Sequence, residues 1–315
     1  MKKIIRSEHD LRDAFFNELY KIAKLDKNII LLSDDFGAPS LDKFREDLAQ
    51  QYYNAGISEQ NMVSVAAGLA LSGKKVYMYA IAPFVTLRCY EQFKIDLCSM
   101  DLPVTALGVG SGYAYSSAGP THHAIEDIAV MRALPNLTIL SPSDSVMAAA
   151  FADMSYELSG PKYIRFDRGK LPLIHSDNND GFADGMSIIK KGSDLCIIAT
   201  GTMVQRAIEV AEELAGESVD AGIIDLYRLK PVNRDLLLQN IVSAKKILTL
   251  EEHVINGGIG SIVAEILCDA TVFKPLKRIA IDDQDCFSYG DREYLQRNCG
   301  LDGKTVSETI LGWIR

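Results

Sequence analysis

The chain has 315 residues, with 33 basic against 42 acidic side chains for a formal net charge of −9, and is 48% hydrophobic and 24% charged. This composition fits two globular domains of ~150 residues each and excludes intrinsic disorder, while the acidic balance argues against nucleic-acid binding, which rests on Lys and Arg neutralising phosphates. Apolar runs fall short of the ~20 residues that cross a bilayer, the opening Met1–Asp10 meets acidic residues before a signal core can form, and six cysteines without a CxxC pair read as buried reduced thiols, so a cytoplasmic protein with no membrane contact is expected.

Ser7 and Asp10 form a capping signal ahead of Leu11, Phe15, Leu19 and Ile22, which recur at helical spacing. Asn28–Ser33 (NIILLS) is a short continuous apolar run, as expected of a strand buried on both faces. Strands are then expected at 76–81, 104–109, 137–140 and 163–166, and helices over 59–71, 84–99, 124–134 and 143–158. Between about Gly169 and Gly192 the chain is rich in Asp, Asn and Gly and loses its period, which marks a linker. The pattern restarts with strands at 195–200, 219–226, 246–250 and 277–281 and helices over 203–215, 233–242 and 258–269. The alternation predicts an α/β fold of two consecutive parallel-sheet domains with helices on both faces, at 1–172 and 192–315, joined by 173–191. Ligands of such sheets sit at the carboxyl ends of the strands, so the loops after Ser33, Ile81, Val109 and Leu250 are the places to search.

Several stretches carry chemistry-bearing side chains. In Gly56-Ile57-Ser58-Glu59, Ser58 suits a helix cap and Glu59 the positive end of the helix dipole. The helix that follows is small and apolar on nearly all sides and should be buried, which would partly desolvate Glu59 and suit it to proton exchange with a ligand. Gly119-Pro120-Thr121-His122-His123 ends a polar loop, and its histidines fit acid–base groups, substrate donors or a surface helix start. Adjacent histidines are poorly placed to share one metal ion, and no third ligand lies nearby in sequence. Gly108, Gly110 and Gly112 spell GxGxG without the helix and downstream acid of a dinucleotide site. Gly257-Gly258-Ile259-Gly260 either leaves backbone amides for an anion or lets a helix pack closely. Arg165, Arg168 and Lys170 at a strand end fit an anionic group, or Arg168 pairs with Asp167 on a solvated edge.

Together, GISEQNM at 56–62, GPTHHAIEDIAVMRALPNLTILSPSD at 119–144, RFDRG at 165–169, TLEEHVINGGIGS at 249–261 and YGDREYLQ at 289–296 are collinear over nearly the whole chain. They resemble the C-terminal half of the transketolase family of thiamine diphosphate enzymes, which includes 1-deoxyxylulose-5-phosphate synthase. The resemblance implies a pyrimidine-binding domain followed by a transketolase C-terminal domain. It implies that Glu59 contacts the cofactor's aminopyrimidine, with Ile57, Phe84, Val85 and Arg88 beside it. The aromatic residue that stacks on the pyrimidine in this family aligns with Val85, next to Phe84. His122 and His123 would face the substrate, and Arg168 an anionic substrate tail.

The family holds the diphosphate and its Mg2+ through Gly-Asp-Gly followed by Asn on a separate N-terminal domain, and Gly-Asp-Gly does not occur here. The resemblance therefore implies one subunit of a split enzyme, with no metal ligands of its own. Thiamine diphosphate and Mg2+ would be shared with an N-terminal, diphosphate-binding subunit, in a heterotetramer of two copies of each chain. The expected reaction moves a two-carbon ketol unit from a ketose, phosphorylated in the expected case, to an aldose-type acceptor. Sugar-transferring members place an Asp before GPTH that reads a substrate hydroxyl, and Ala118 stands there, which implies an altered sugar. A 2-oxo acid dehydrogenase β-subunit, a pyruvate-carboligating synthase and a non-catalytic scaffold are the alternatives.

Overall fold

The computed structural model describes Ser7, 9–176 and 182–315. Its contacts divide the chain into two units, one of the described residues of Met1–Ser111 and Val130–Phe182, the other of Gly112–Ala129 and Ala183–Arg315. The first unit is built on β1 (Ile29–Ser33), β2 (Tyr52–Asn54), β3 (Lys75–Ile81), β4 (Val104–Val109), β5 (Thr138–Leu140) and β6 (Lys162–Phe166). These run parallel in the order β5-β6-β4-β3-β1-β2. Every residue of β1, β4 and β6 is buried, which is why they read as unbroken apolar runs rather than alternating ones.

The helices preceding the first long loop are α1 (Leu11–Leu25), α2 (Asp42–Asp47), α3 (Glu59–Leu71), α4 (Ala82–Thr86) and α5 (Tyr90–Gln92), with α6 (Asp127–Arg132) and α7 (Ser145–Glu157) after it. α1 packs on α7 and buries Phe15 and Phe16, whose rings lie 5.3 Å from Phe166 and 5.1 Å from Tyr79. Such aromatic pairs add about 0.5–1.5 kcal/mol each beyond their buried area. Asp10 rather than Ser7 caps α1, accepting from Asp13 N–H at 2.7 Å. Ser7 instead accepts from Ser145 Oγ at 2.6 Å.

The helix expected over 84–99 is broken. α4 gives way at Cys89, whose backbone leaves the helical region (φ −115°, ψ 27°) and whose thiol donates to Val85 O at 3.1 Å. The chain resumes as α5 and then a wider, π-helical turn over Phe93–Cys98. The helix expected over 124–134 is only α6. β2 escaped the sequence reading because it is three residues long and half exposed at the sheet edge.

In the second unit β7 (Met186–Lys190), β8 (Leu195–Ala199), β9 (Ala221–Leu226), β11 (Lys246–Val254) and β12 (Leu276–Ile281) form a sheet in the order β12-β11-β8-β9-β7, a three-residue β10 (Arg228–Lys230) following β9 in the chain. β7 runs antiparallel to β9, so this sheet is mixed rather than wholly parallel. The expected linker 173–191 thus contains a strand, while its residues 177–181 lie outside those described. Helices α8 (Met203–Gly216), α9 (Arg234–Ile241), α10 (Ile259–Asp269), α11 (Arg292–Asn298) and α12 (Gly303–Ile314) complete the unit. No described helix is long and apolar enough to cross a membrane. All six cysteines are free, but Cys268 is exposed and Cys286 and Cys299 are half-buried, so the expectation of buried thiols holds for Cys89, Cys98 and Cys196 alone.

Candidate active site

Glu59 opens α3, and its side chain is 3% exposed. The preceding backbone turns at Gly56 (φ +69°), and Ser58 donates its hydroxyl to Ala55 O at 2.6 Å instead of capping the helix. The first turn is therefore left to the Glu59 carboxylate, which sits where the helix dipole favours an anion. Arg88 Nη1 donates to Glu59 Oε1 at 2.7 Å, and the same guanidinium lies 3.9 Å from the centre of the Phe84 ring. Phe84 is half-buried and Val85 wholly buried, so of the two aligned positions the valine faces the protein interior. Ile57 is 74% exposed.

Asp34, the first residue after β1, belongs with this group. It is buried, accepts from Phe36 N–H at 2.8 Å, and has its carboxyl pushed up to about 7, chiefly by burial and further by the charges of Glu59 and Asp35. Cys89 lies near the same charges, and burial pushes its thiol up to about 12, which makes it inert at neutral pH. The unit thus places two acidic groups, an arginine and an aromatic ring together, with one carboxylate oxygen held by the arginine. Asp34 sits in a loop that the strand-end rule had marked, but no motif distinguished it from an ordinary loop aspartate.

In the second unit the histidine loop hangs from a small bridge in which Gly112 and Ala124 exchange backbone hydrogen bonds of 3.0 Å. His122 is half-buried, its Nδ1 2.9 Å from Thr121 Oγ1 and its ring 5.8 Å from Tyr115. His123 is buried and donates from Nε2 to Ser116 O at 2.8 Å, leaving Nδ1 without a partner, and its ring meets Tyr113 edge-on at 4.9 Å.

Adjacent residues of β11 point to opposite faces. Glu251 accepts from Ile259 N–H at 2.6 Å and Gly260 N–H at 2.8 Å, filling the start of α10 that the sequence left open to an anion. A Cβ on Gly258 would stand 2.0 Å from the Glu251 carboxylate, so the glycines serve close packing. Glu252 accepts from Tyr113 N–H at 3.1 Å, from Gln296 Nε2 at 2.6 Å and from Arg292 Nε at 3.0 Å. His253 donates from Nδ1 to Val254 O and accepts Ala129 N–H at Nε2, which fixes the neutral tautomer. The sequence held the signal for these anchors in TLEEH and YGDREYLQ, but did not show that they meet.

Arg168 is exposed after β6, whereas Arg165 and Asp167 are buried. Asp167 accepts from the Arg168 backbone N–H at 2.7 Å. Gly108 packs against Tyr163, where a Cβ would fall 2.8 Å from its ring, so GxGxG here serves packing. Among the described residues no group of three or more His, Cys, Asp or Glu side chains is placed to hold a metal ion.

Residues 7–173 match the family profile described as transketolase, pyrimidine binding domain, and 185–306 match transketolase, C-terminal domain. The chain is 32% identical to an apulose-4-phosphate transketolase subunit of Actinobacillus succinogenes, over 89% of this chain and 90% of that protein. It is also 32% identical to the 6-deoxy-6-sulfo-D-fructose transketolase subunit SqwH of a Clostridium species, over 95% and 92%. A solved structure described as a split gene transketolase, inactive beta4 tetramer, superposes with a TM-score of 0.87 at 30% identity, over 96% of this chain and 97% of that one.

Proposed function

The chain belongs to the transketolase family, as one of the subunits of a split transketolase-like enzyme, and from that premise we propose that it supplies the pyrimidine-binding half of a thiamine diphosphate site shared with a diphosphate-binding partner. The observation that carries this reading is Glu59, a carboxylate 3% exposed at a helix start, with Arg88 on one of its oxygens. A buried carboxyl fits the ring nitrogen of an aminopyrimidine, whose adjacent donor and acceptor edge needs a group able to hold or give a proton. Phe84, with the Arg88 guanidinium over its ring, supplies a flat wall beside that position and Ile57 an apolar one, while Val85, wholly buried, takes the adjoining position in α4. The family's Gly-Asp-Gly does not occur in this chain, and by that resemblance we assign Mg2+ and the diphosphate to the partner.

When bound, thiamine diphosphate supplies the electron sink that breaking a ketose carbon–carbon bond requires. Glu59 keeps its free oxygen for the pyrimidine nitrogen and moves the proton there, while Arg88 fixes the orientation of the carboxyl group. His122 exchanges a proton with a substrate hydroxyl or carbonyl oxygen. His123, tied by Nε2 to Ser116 O, presents Nδ1 as an acceptor for a substrate hydroxyl. Arg168 meets an anionic terminus of the substrate.

The reaction proposed is transfer of a two-carbon ketol unit from a ketose to an aldose-type acceptor. Two relatives at the same identity are named for different sugars, one a phosphate and one a sulfo compound. What those names share is an anionic end, which supports a ketose with an anionic tail and leaves Ala118 to select the particular sugar. The solved relative described as an inactive tetramer of beta chains supports the need for a second kind of chain, and we propose two copies of each in the assembly. Turnover of anionic ketoses by this chain mixed with its diphosphate-binding partner, thiamine diphosphate and Mg2+ tests the reading. Glu59→Gln should lower kcat at least a hundredfold, and wild-type turnover in that variant would refute it.

A further inference from the structure

Two histidines on a loop can serve a substrate only if something fixes the loop, and the described contacts place that fixture at its first residue. Tyr113 follows directly on the Gly112–Ala124 bridge and is tied twice to α11 or its end. Its backbone N–H reaches Glu252, which Arg292 and Gln296 of α11 hold from the other side. Its phenol oxygen lies 3.5 Å from the thiol of Cys299, the residue that closes α11, and its ring lies against His123. Gly112 is itself shaped by the anchor. Its φ is +58°, and a Cβ there would stand 2.0 Å from Glu252 Oε2. The carboxylate and the loop are therefore in direct contact.

We propose that Glu252 is the positioning residue of the histidine loop: gripped by Arg292 and Gln296, it fixes Tyr113 N–H and thereby sets His122 and His123 toward the substrate. The proposal rests on the transfer reading above for what the histidines do, while the anchoring itself rests on hydrogen bonds within one unit. A carboxylate suits the role because all of its partners are donors, and every one of its lone pairs can accept. A glutamine at this position would turn an N–H group toward Arg292, Gln296 or Tyr113 and lose at least one of these contacts.

The test compares the reconstituted wild-type enzyme with Glu252→Gln and Arg292→Ala by hydrogen–deuterium exchange, steady-state kinetics and titration of thiamine diphosphate. Exchange at Tyr113 and Ala124 should quicken tenfold or more in both variants while residues 59–71 keep wild-type rates. The kcat should fall at least tenfold with the cofactor Kd within twofold of wild type, and the double variant should be no worse than the poorer single, as for members of one network. Wild-type exchange across 113–124 in both variants would overturn the proposal. So would a loosened loop with wild-type kcat, or a fall in kcat matched by equal loss of cofactor affinity and faster exchange over 59–71. If one variant fails to fold, Gln296→Ala removes a neutral donor and takes its place. A wild-type complex without ketol transfer would sink the functional reading, and exchange alone would then decide the anchoring.

Discussion

At the scale of single residues the first unit concentrates negative charge where water is excluded. Burial leads the shift that raises the Asp34 carboxyl to about 7, and Glu59 and Asp35 add to it. The sign of the resulting pH dependence follows. A carboxyl whose folded value lies above its unfolded value near 3.8 contributes stability that is present below pH 4 and is lost as the pH rises through about 7. Asp34→Asn should therefore flatten the fall in stability between pH 4 and 7 and leave the variant more stable than wild type at pH 8. Urea denaturation at several pH values measures this, and a variant with an unaltered pH profile would show that Asp34 is ionised normally. The Glu59–Arg88 pair was legible only in part. The helix start and the carboxylate could be read from GISEQ, and Arg88 was named only through the resemblance, because it stands in the turn between α4 and α5 and no periodicity announces that turn. Ser58 illustrates the converse: its residue type suits a cap, yet its hydroxyl bonds the preceding turn at Ala55 O.

At the scale of elements, strands buried on both faces were the most legible because they need apolar residues at every position, as in β1, β4 and β8. Two edge strands were missed: β2 is only three residues long, and β7 lies in a stretch whose Asp, Asn and Gly content reads as a linker, while the edge strand β12 keeps enough apolar residues to be read. The paired glutamates of β11 are one device, in which alternation along a strand sends one carboxylate to the start of α10 and the other to the histidine loop and α11. Gly258→Ala would drive a methyl into Glu251 and should destabilise the second unit by about 1–3 kcal/mol, as overpacking does. Asp10→Ala removes the side-chain cap of α1 and should lower stability by ~1 kcal/mol. Chemical denaturation reads both, and a neutral Gly258→Ala would mean that Glu251 can leave the α10 amides without loss.

At the scale of the whole molecule, the sequence places this chain as one part of a divided catalyst. The two family profiles cover the pyrimidine-binding and C-terminal domains, and the relatives compared are transketolase subunits that match it nearly end to end. The first unit brings a buried carboxyl, an arginine and an aromatic ring together, and the proposed reading gives that group the pyrimidine end of a cofactor in a site shared with a partner chain. The measurement that tests it most directly is calorimetric titration of thiamine diphosphate with Mg2+ into this chain alone and into its complex with the diphosphate-binding partner. The account predicts weak binding to the chain alone, tight binding to the complex, and loss of that tight binding in neither Glu252→Gln nor Arg292→Ala. Tight, Mg2+-dependent binding to the isolated chain would contradict it.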